Sequence, residues 1–297
     1  MEESVLSSIV LPLAIMLIMV SMGMSLTVED FRRVLIEPKQ VSIGLLSQVV
    51  LLPLIGFVVV AIFQLQPIYA IGLMLLAAAP GGSTSNLIVH TADGDRALSV
   101  TLTALSNAIV WLTMPFLLNF AAGLYGDDAQ ITNFPIVSTM VQVAALSVVP
   151  VLIGMGIRRV NVAFAERTEK ISKIVSAAFL FVIILALVAQ NWETIVTDGP
   201  RFAPAFILLN LAGLVVGYGV SRLARINHVQ SATISIETGI QNGTLAITIA
   251  FTVLGNGEYA VIPGLYSIWM YISGFAIAYW LARGSANRAP ISAATTQ

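Results

Sequence analysis

The residues best equipped for chemistry stand in the run IETGIQNG at positions 236–243, where a carboxylate, two carboxamides, a hydroxyl and two glycines interrupt an apolar stretch. Glu237 is the acid placed well inside that stretch, whereas the other acids fall at loops or at the ends of apolar segments. An ionised carboxylate near the centre of a bilayer costs several kcal/mol unless something compensates it. Lys and Arg fall only at the ends of the apolar spans, so none lies at that depth to do so. Its charge must therefore be met by a proton, by a metal cation, or by each in turn. Neutral oxygens elsewhere favour a cation: Gln48, Ser85, Asn86, Ser99, Thr103 and Gln241 could all turn side-chain oxygens towards one point. Ser99 and Thr103 are four residues apart and share a helix face. A break in the helix at Glu237 would add the carbonyls of Thr238 and Ile240. Sodium, like other hard cations, takes several oxygens without a strict geometry. Taken singly, several of these residues have plainer roles. Serine and threonine in membrane helices often bond back to their own carbonyls, and a lone glutamine can bridge two helices.

The elements that must position this set are membrane helices. The chain of 297 residues is 58% hydrophobic and 10% charged, with a mean hydropathy of +0.92. Soluble domains carry about 25% charged residues, so this is an integral membrane protein. The net charge of -1 gives no sign of nucleic-acid binding, and the absence of cysteine excludes disulfides, thiolate metal sites and a cysteine nucleophile. The acidic start MEESV is unlike the basic opening of a cleavable signal peptide.

A spanning helix needs about 20 mostly apolar residues. Nine stretches are expected to span, at 5–26, 41–63, 69–92, 97–122, 135–157, 171–189, 203–223, 229–254 and 259–282. With the N-terminus outside and the C-terminus inside, every one of the 14 Lys and Arg residues except Arg201 falls on the inner side, as the positive-inside rule requires. The third and eighth stretches are interrupted, by PGGSTSN at 80–86 and by ETGIQNG at 237–243. Four helices ending in a broken one and a long one, a single intervening helix, then four of the same kind imply an inverted repeat of helices 1–4 and 6–9, an architecture common in secondary transporters.

Proline and glycine end the first half of each interrupted helix. Unwound backbone at membrane depth is tolerated where it is buried in protein or lines a wet cavity. New half-helices then start, with Ser83, Thr84, Ser85 and Asn86 at one and Gln241 and Asn242 at the other, all suited to capping. Half-helix N-termini carry partial positive charge and free N–H groups that suit an anion, while the preceding C-terminal carbonyls suit a cation. His90 and His228 are expected at the ends of elements, away from this site.

At these residues the chain resembles the bile acid:sodium symporter family. The resemblance rests on APGGSTSN at 79–86, ALSVTLTALS at 97–106, ETGIQN at 237–242 and MGMSLTVEDF in the first loop, and it covers nearly the whole chain. It implies an all-α polytopic fold in which two broken helices cross in a core domain (helices 2–4 and 7–9) packed on a panel domain (helices 1, 5 and 6). It also implies two sodium ions. One would be held by Ser85, Asn86, Ser99, Thr103 and Glu237. The other would be held by Gln48, Glu237, Thr238, Ile240 and Gln241, with Thr238 and Ile240 contributing backbone carbonyls.

The function expected from these readings is sodium-coupled import of an organic anion (bile acid-like, a steroid sulfate, or a small carboxylate such as pantoate) across the inner membrane by alternating access. Membrane lipid surrounds the bundle, and Ser83, Thr84, Asn86 and Asn242 hold the anion. The alternative is a proton-coupled or sodium-independent anion carrier of the same fold, with Glu237 carrying the proton. An arsenite carrier of related appearance would be expected to use a cysteine. A membrane enzyme would need paired acids or a nucleophile with its base, and Asp93 and Asp95 are read instead as a tight inner turn beside Arg96. The loops are too short to offer much to a soluble partner. The polar tail at 285–297 is expected to be disordered.

Overall fold

The computed structural model describes residues 11–126 and 135–286. Residues 5–10 of the first expected span and 287–297 of the expected disordered tail lie outside the described residues. The described chain is helical: α1 (Leu11–Ser25), α2 (Val28–Ile36), α3 (Pro38–Leu46), a π-helical turn (Ser47–Leu51), α4 (Leu52–Phe63), α5 (Pro67–Ala78), α6 (Ser83–Thr91) and α7 (Arg96–Tyr125). There follow α8 (Ile136–Leu146), α9 (Val148–Val160), α10 (Val162–Gln190), α11 (Trp192–Leu223), α12 (His228–Gly239), α13 (Gly243–Thr252), a 3-10 turn (Gly257–Ala260) and α14 (Val261–Ala286).

Among the described residues five helices are long and apolar enough to cross a membrane, or up to seven if each of two bent pairs is one span. The bends lie between α1 and α2, at 61°, and between α5 and α6, at 64°. The expected stretch 171–189 lies within the continuous helix α10, of which Ala178–Gln190 is a shorter apolar helix among the described residues, and a break at 240–242 divides the expected stretch 229–254 into α12 and α13.

Several boundaries differ from the sequence reading. The inner loop expected at 27–40 is mostly helix, because Thr27 and Asp30 form a capping box that starts α2. Asn161 caps α10 by accepting from the Phe164 N–H at 2.9 Å, so that helix begins before the expected 171. The stretch expected at 203–223 starts at Trp192 and carries Pro200 and Pro204 within it, and the helix expected at 135–157 is divided at Ser147. Residues 285 and 286, expected in the tail, close α14.

Burial separates the elements by role. Residues 69–82 and 230–250, the runs that contain the two interruptions, are buried throughout. A helix covered on every face occupies the interior of a bundle, and here α4, α7, α11 and α14 surround the interrupted pairs α5–α6 and α12–α13. Outward residues such as Leu17, Ile62, Phe120, Leu185, Val215 and Trp280 are large, apolar and exposed, a belt that a lipid environment would cover. A second group packs α1 against α9 and α10. There a Cβ on Gly23 would lie 2.1 Å from the Val151 carbonyl oxygen, and one on Gly154 would lie 2.1 Å from that of Val20. Glycine at both positions lets the two backbones touch, as small residues do in membrane helix pairs.

Candidate functional site

The two interruptions meet in the interior. The Asn242 N–H donates to the Pro80 carbonyl at 3.0 Å. A Cβ on Gly82 would stand 3.3 Å from Asn242 Cγ, and one on Gly81 would stand 2.9 Å from Glu237 Oε2. At each break one freed carbonyl is met by an asparagine amide. Asn107 Nδ2 donates to Gly81 O at 2.9 Å, and Asn210 Nδ2 donates to Gly239 O at 2.8 Å. Tyr266 O–H also donates to Gly239 O, and Trp269 N–H donates to Asn210 Oδ1. Sequence reading missed this set. Asn107 had a signal, since it extends the Ser99 and Thr103 stripe by four more residues. Asn210, on a different helix from either break, had none.

Glu237 is fully buried on the last turns of α12. Ser99 Oγ donates to its Oε1 at 2.5 Å, and Thr103 Oγ1 donates to its Oε2 at 2.9 Å. The same hydroxyls stand 2.6 and 3.2 Å from Asn86 Oδ1. Each hydroxyl has one proton, so two protons face three acceptor oxygens. Such a surplus of oxygen is what a hard cation resolves. Ser85 also lies beside the carboxylate, with its hydroxyl donating to Gly82 O at 2.8 Å. Among the described residues no ion pair includes Glu237.

Gln48 sits in the π-helical turn, beside Glu237. π-Bulges of this kind are frequent at functional sites. Its side chain is buried beside that carboxylate, and among the described residues neither Oε1 nor Nε2 reaches full hydrogen-bond geometry with a partner. A buried amide left unmatched costs about 1–3 kcal/mol per group. The Gln48→Leu substitution is therefore expected to raise the thermal midpoint in sodium-free buffer while weakening the response to sodium, a pair of opposite signs readable in one melting experiment. A simple packing role would lower both.

The remaining expected ligands are placed as follows. Thr238 O accepts from Gln241 Nε2 at 2.7 Å, so that carbonyl is already engaged. The Thr238 hydroxyl bonds back to Ile234 O. Ile240 O faces Gly81. Asn242 caps α13, its Oδ1 accepting from the Leu245 N–H at 3.0 Å, whereas α6 starts at Gly82 with no side-chain cap. The two half-helix N-termini thus differ: donors of α13 are partly satisfied from within, and those of α6 are open. Ser83, Thr84 and Asn86 line a cavity of about 560 Å³ between α6 and the group α1, α9 and α10, and Asn242 lines a separate small pocket that shares Ser83 and Thr84 with it. Asp95 caps α7 and stands 3.3 Å from Arg33, which is its ionic partner in place of Arg96. His228 shares a hydrogen bond with Tyr218 at 2.8 Å, and His90 lies exposed in the last turn of α6.

Comparison with known proteins decides the lineage. Residues 12–198 match the model of the sodium bile acid symporter family. The chain is 32% identical over 260 residues to a probable sodium/metabolite cotransporter, BASS1, of rice chloroplasts, covering 88% of this chain and 63% of that protein. The chain belongs to the sodium bile acid symporter family. Members of this family are transporters, not enzymes. The human ileal sodium/bile acid cotransporter is 29% identical over 298 residues, with 97% of this chain and 84% of that protein covered. The uncharacterised sodium-dependent transporter YocS of Bacillus subtilis is 27% identical over 267 residues, with 89% and 80% covered. This chain spans just under two thirds of the length of the plant relatives it matches.

Proposed function

We propose that this chain is a sodium-coupled secondary transporter that imports an organic anion across a bacterial inner membrane. The observation that carries the reading is Glu237, a buried carboxylate without a cationic side chain, ringed by neutral oxygens from α6, α7 and the π turn. The names of the relatives, sodium/metabolite and sodium/bile acid cotransporters, point to the same coupling ion. Two ions are proposed. One lies among Ser85, Asn86, Ser99, Thr103 and Glu237. The other lies among Gln48, Glu237, Ile240 and Gln241, with the Thr238 carbonyl joining if Gln241 turns its amide over. The nine-span bundle with an inverted repeat, N-terminus outside and C-terminus inside, belongs to this proposal. The packing of α1 on α9 and α10 supports its panel, and the enclosure of the interrupted helices supports its core.

In this mechanism sodium neutralises Glu237 and ties α12 to α6 and α7. That holds the open N–H groups at Ser83 and Thr84 in place for a carboxylate or sulfonate, with Asn86 and Asn242 at the edges. The core then moves against the panel, and the sodium gradient and membrane potential drive uptake. The cavity volume lies in the range of about 300–1,000 Å³ that holds drug-sized ligands, which suits bile acids, steroid sulfates and smaller carboxylates such as pantoate.

The test is uptake of cholate, a steroid sulfate and pantoate into proteoliposomes under an inward gradient of sodium, potassium or choline. Accumulation driven by sodium alone is expected for at least one anion. Equal uptake with all three cations, together with dependence on an imposed proton gradient, would replace this reading with the proton-coupled carrier.

A further inference from the structure

The 560 Å³ cavity is also lined by Arg158 on α9 and Glu166 on α10, which the proposed sodium site does not use. Arg158 is the one cation among the described residues that line it. In the proposed orientation the end of α9 that carries Arg158 is on the inner side, which places this wall of the cavity towards the cytoplasm. One guanidinium nitrogen is fixed, with Nη1 donating to Met24 O at 2.9 Å. The other contact is loose: Nη2 stands 3.5 Å from Glu166 Oε1, and the Glu166 side chain is 61% exposed. An ion pair of that exposure contributes little, and 3.5 Å is beyond a normal N–H···O hydrogen bond. A guanidinium carries five N–H donors in a rigid fork that matches carboxylate and sulfonate geometry. Among the described residues, Arg158 is thus held at the cavity wall with most of its donors unspent and a counter-ion that is easily displaced.

We propose that Arg158 is an anion-recognition residue of the transport cavity, taking the carboxylate or sulfonate of the substrate on its inner side and displacing Glu166. The proposal rests on the transporter reading above. Arg158 and the α6 terminus line the same cavity and share the negative group while sodium is bound. The apolar side chains of Ile18, Met22 and Leu180 cover the body of the same ligand. The ligand class is an amphipathic monoanion, and selection against uncharged analogues falls to this residue.

The experiment uses the full chain in detergent with saturating sodium. The probe is cholate or pantoate, whichever the wild type binds more tightly, paired with its uncharged amide. Arg158→Gln is expected to weaken the acid on the order of tenfold or more, as loss of charge-assisted hydrogen bonds does, while the amide and the sodium-dependent thermal shift stay as in wild type. Arg158→Lys should retain part of the affinity. Glu166→Gln, which keeps Arg158 and its bond to Met24 O, should tighten the acid severalfold. Equal affinity of wild type and Arg158→Gln for the acid would overturn the proposal. So would equal losses for acid and amide, since these mark a packing role at the α1–α9 contact. If no anion shifts the wild type in sodium, the transporter reading itself fails, a result distinct from a failure at Arg158.

Discussion

Glu237→Gln is expected to abolish sodium-stimulated uptake and leave a folded protein. The substitution keeps the shape of the side chain and its place on α12. One oxygen is exchanged for an N–H donor, so the contacts from Ser99 to Oε1 and from Thr103 to Oε2 cannot both survive as they are. The larger effect is the loss of charge. Two unit charges 4 Å apart interact by about 4 kcal/mol at an effective dielectric of about 20, which corresponds to roughly three orders of magnitude in sodium affinity. Stability without sodium should hold or rise, because a carboxylate without an ionic partner is costly to bury and an amide much less so. Uptake titrated against sodium, with melting curves in choline as the fold control, checks both halves. Sodium stimulation retained in this variant would sink the assignment.

Gly81→Ala is expected to be the most damaging small substitution at the site. The added methyl would sit 2.9 Å from Glu237 Oε2, 3.0 Å from Ser85 Oγ and 3.3 Å from Ile240 O. Glu237 Oε2 and Ser85 Oγ are side-chain ends, but each is tied by a hydrogen bond, to Thr103 and to Gly82 O, that a retreat would strain. Overpacking of this kind costs about 1–3 kcal/mol. Because the displaced atoms are proposed cation ligands, sodium affinity should fall by about tenfold or more as well. Gly123→Ala is the control: a Cβ there meets nothing within 4 Å, and its melting curve and sodium response should match the wild type or improve slightly. Melting midpoints across a sodium series separate the two variants.

How far the site was legible depends on whether a residue acts through its own type or through its neighbours. Glu237 announced itself by contrast with the apolar residues around it, and the breaks announced themselves by proline and glycine. Ser99 and Thr103 followed from helical spacing. The structure brings these residues together as that logic requires. Asn210 and Tyr266 were not legible, because an amide or phenol bonding to a carbonyl on another helix leaves no local pattern. The π turn at Gln48 was hidden for a similar reason, since SQVVL reads as ordinary helix. Composition also favoured both half-helix N-termini alike, and only the geometry of Asn242 distinguishes the capped α13 from the open α6. The segment 27–40 reads as a connection because it falls between two apolar stretches, although its capping box marks a helix start.

The most direct test of the central claim is a sodium titration of the melting midpoint of the purified wild-type protein, at constant ionic strength in choline, with potassium in parallel. A ligand that binds the folded state raises the midpoint by mass action. The expected result is a saturable rise with sodium, absent with potassium and absent in Glu237→Gln. An identical response to all three cations, with a shift that follows pH alone, would contradict the sodium site and leave Glu237 as a proton carrier.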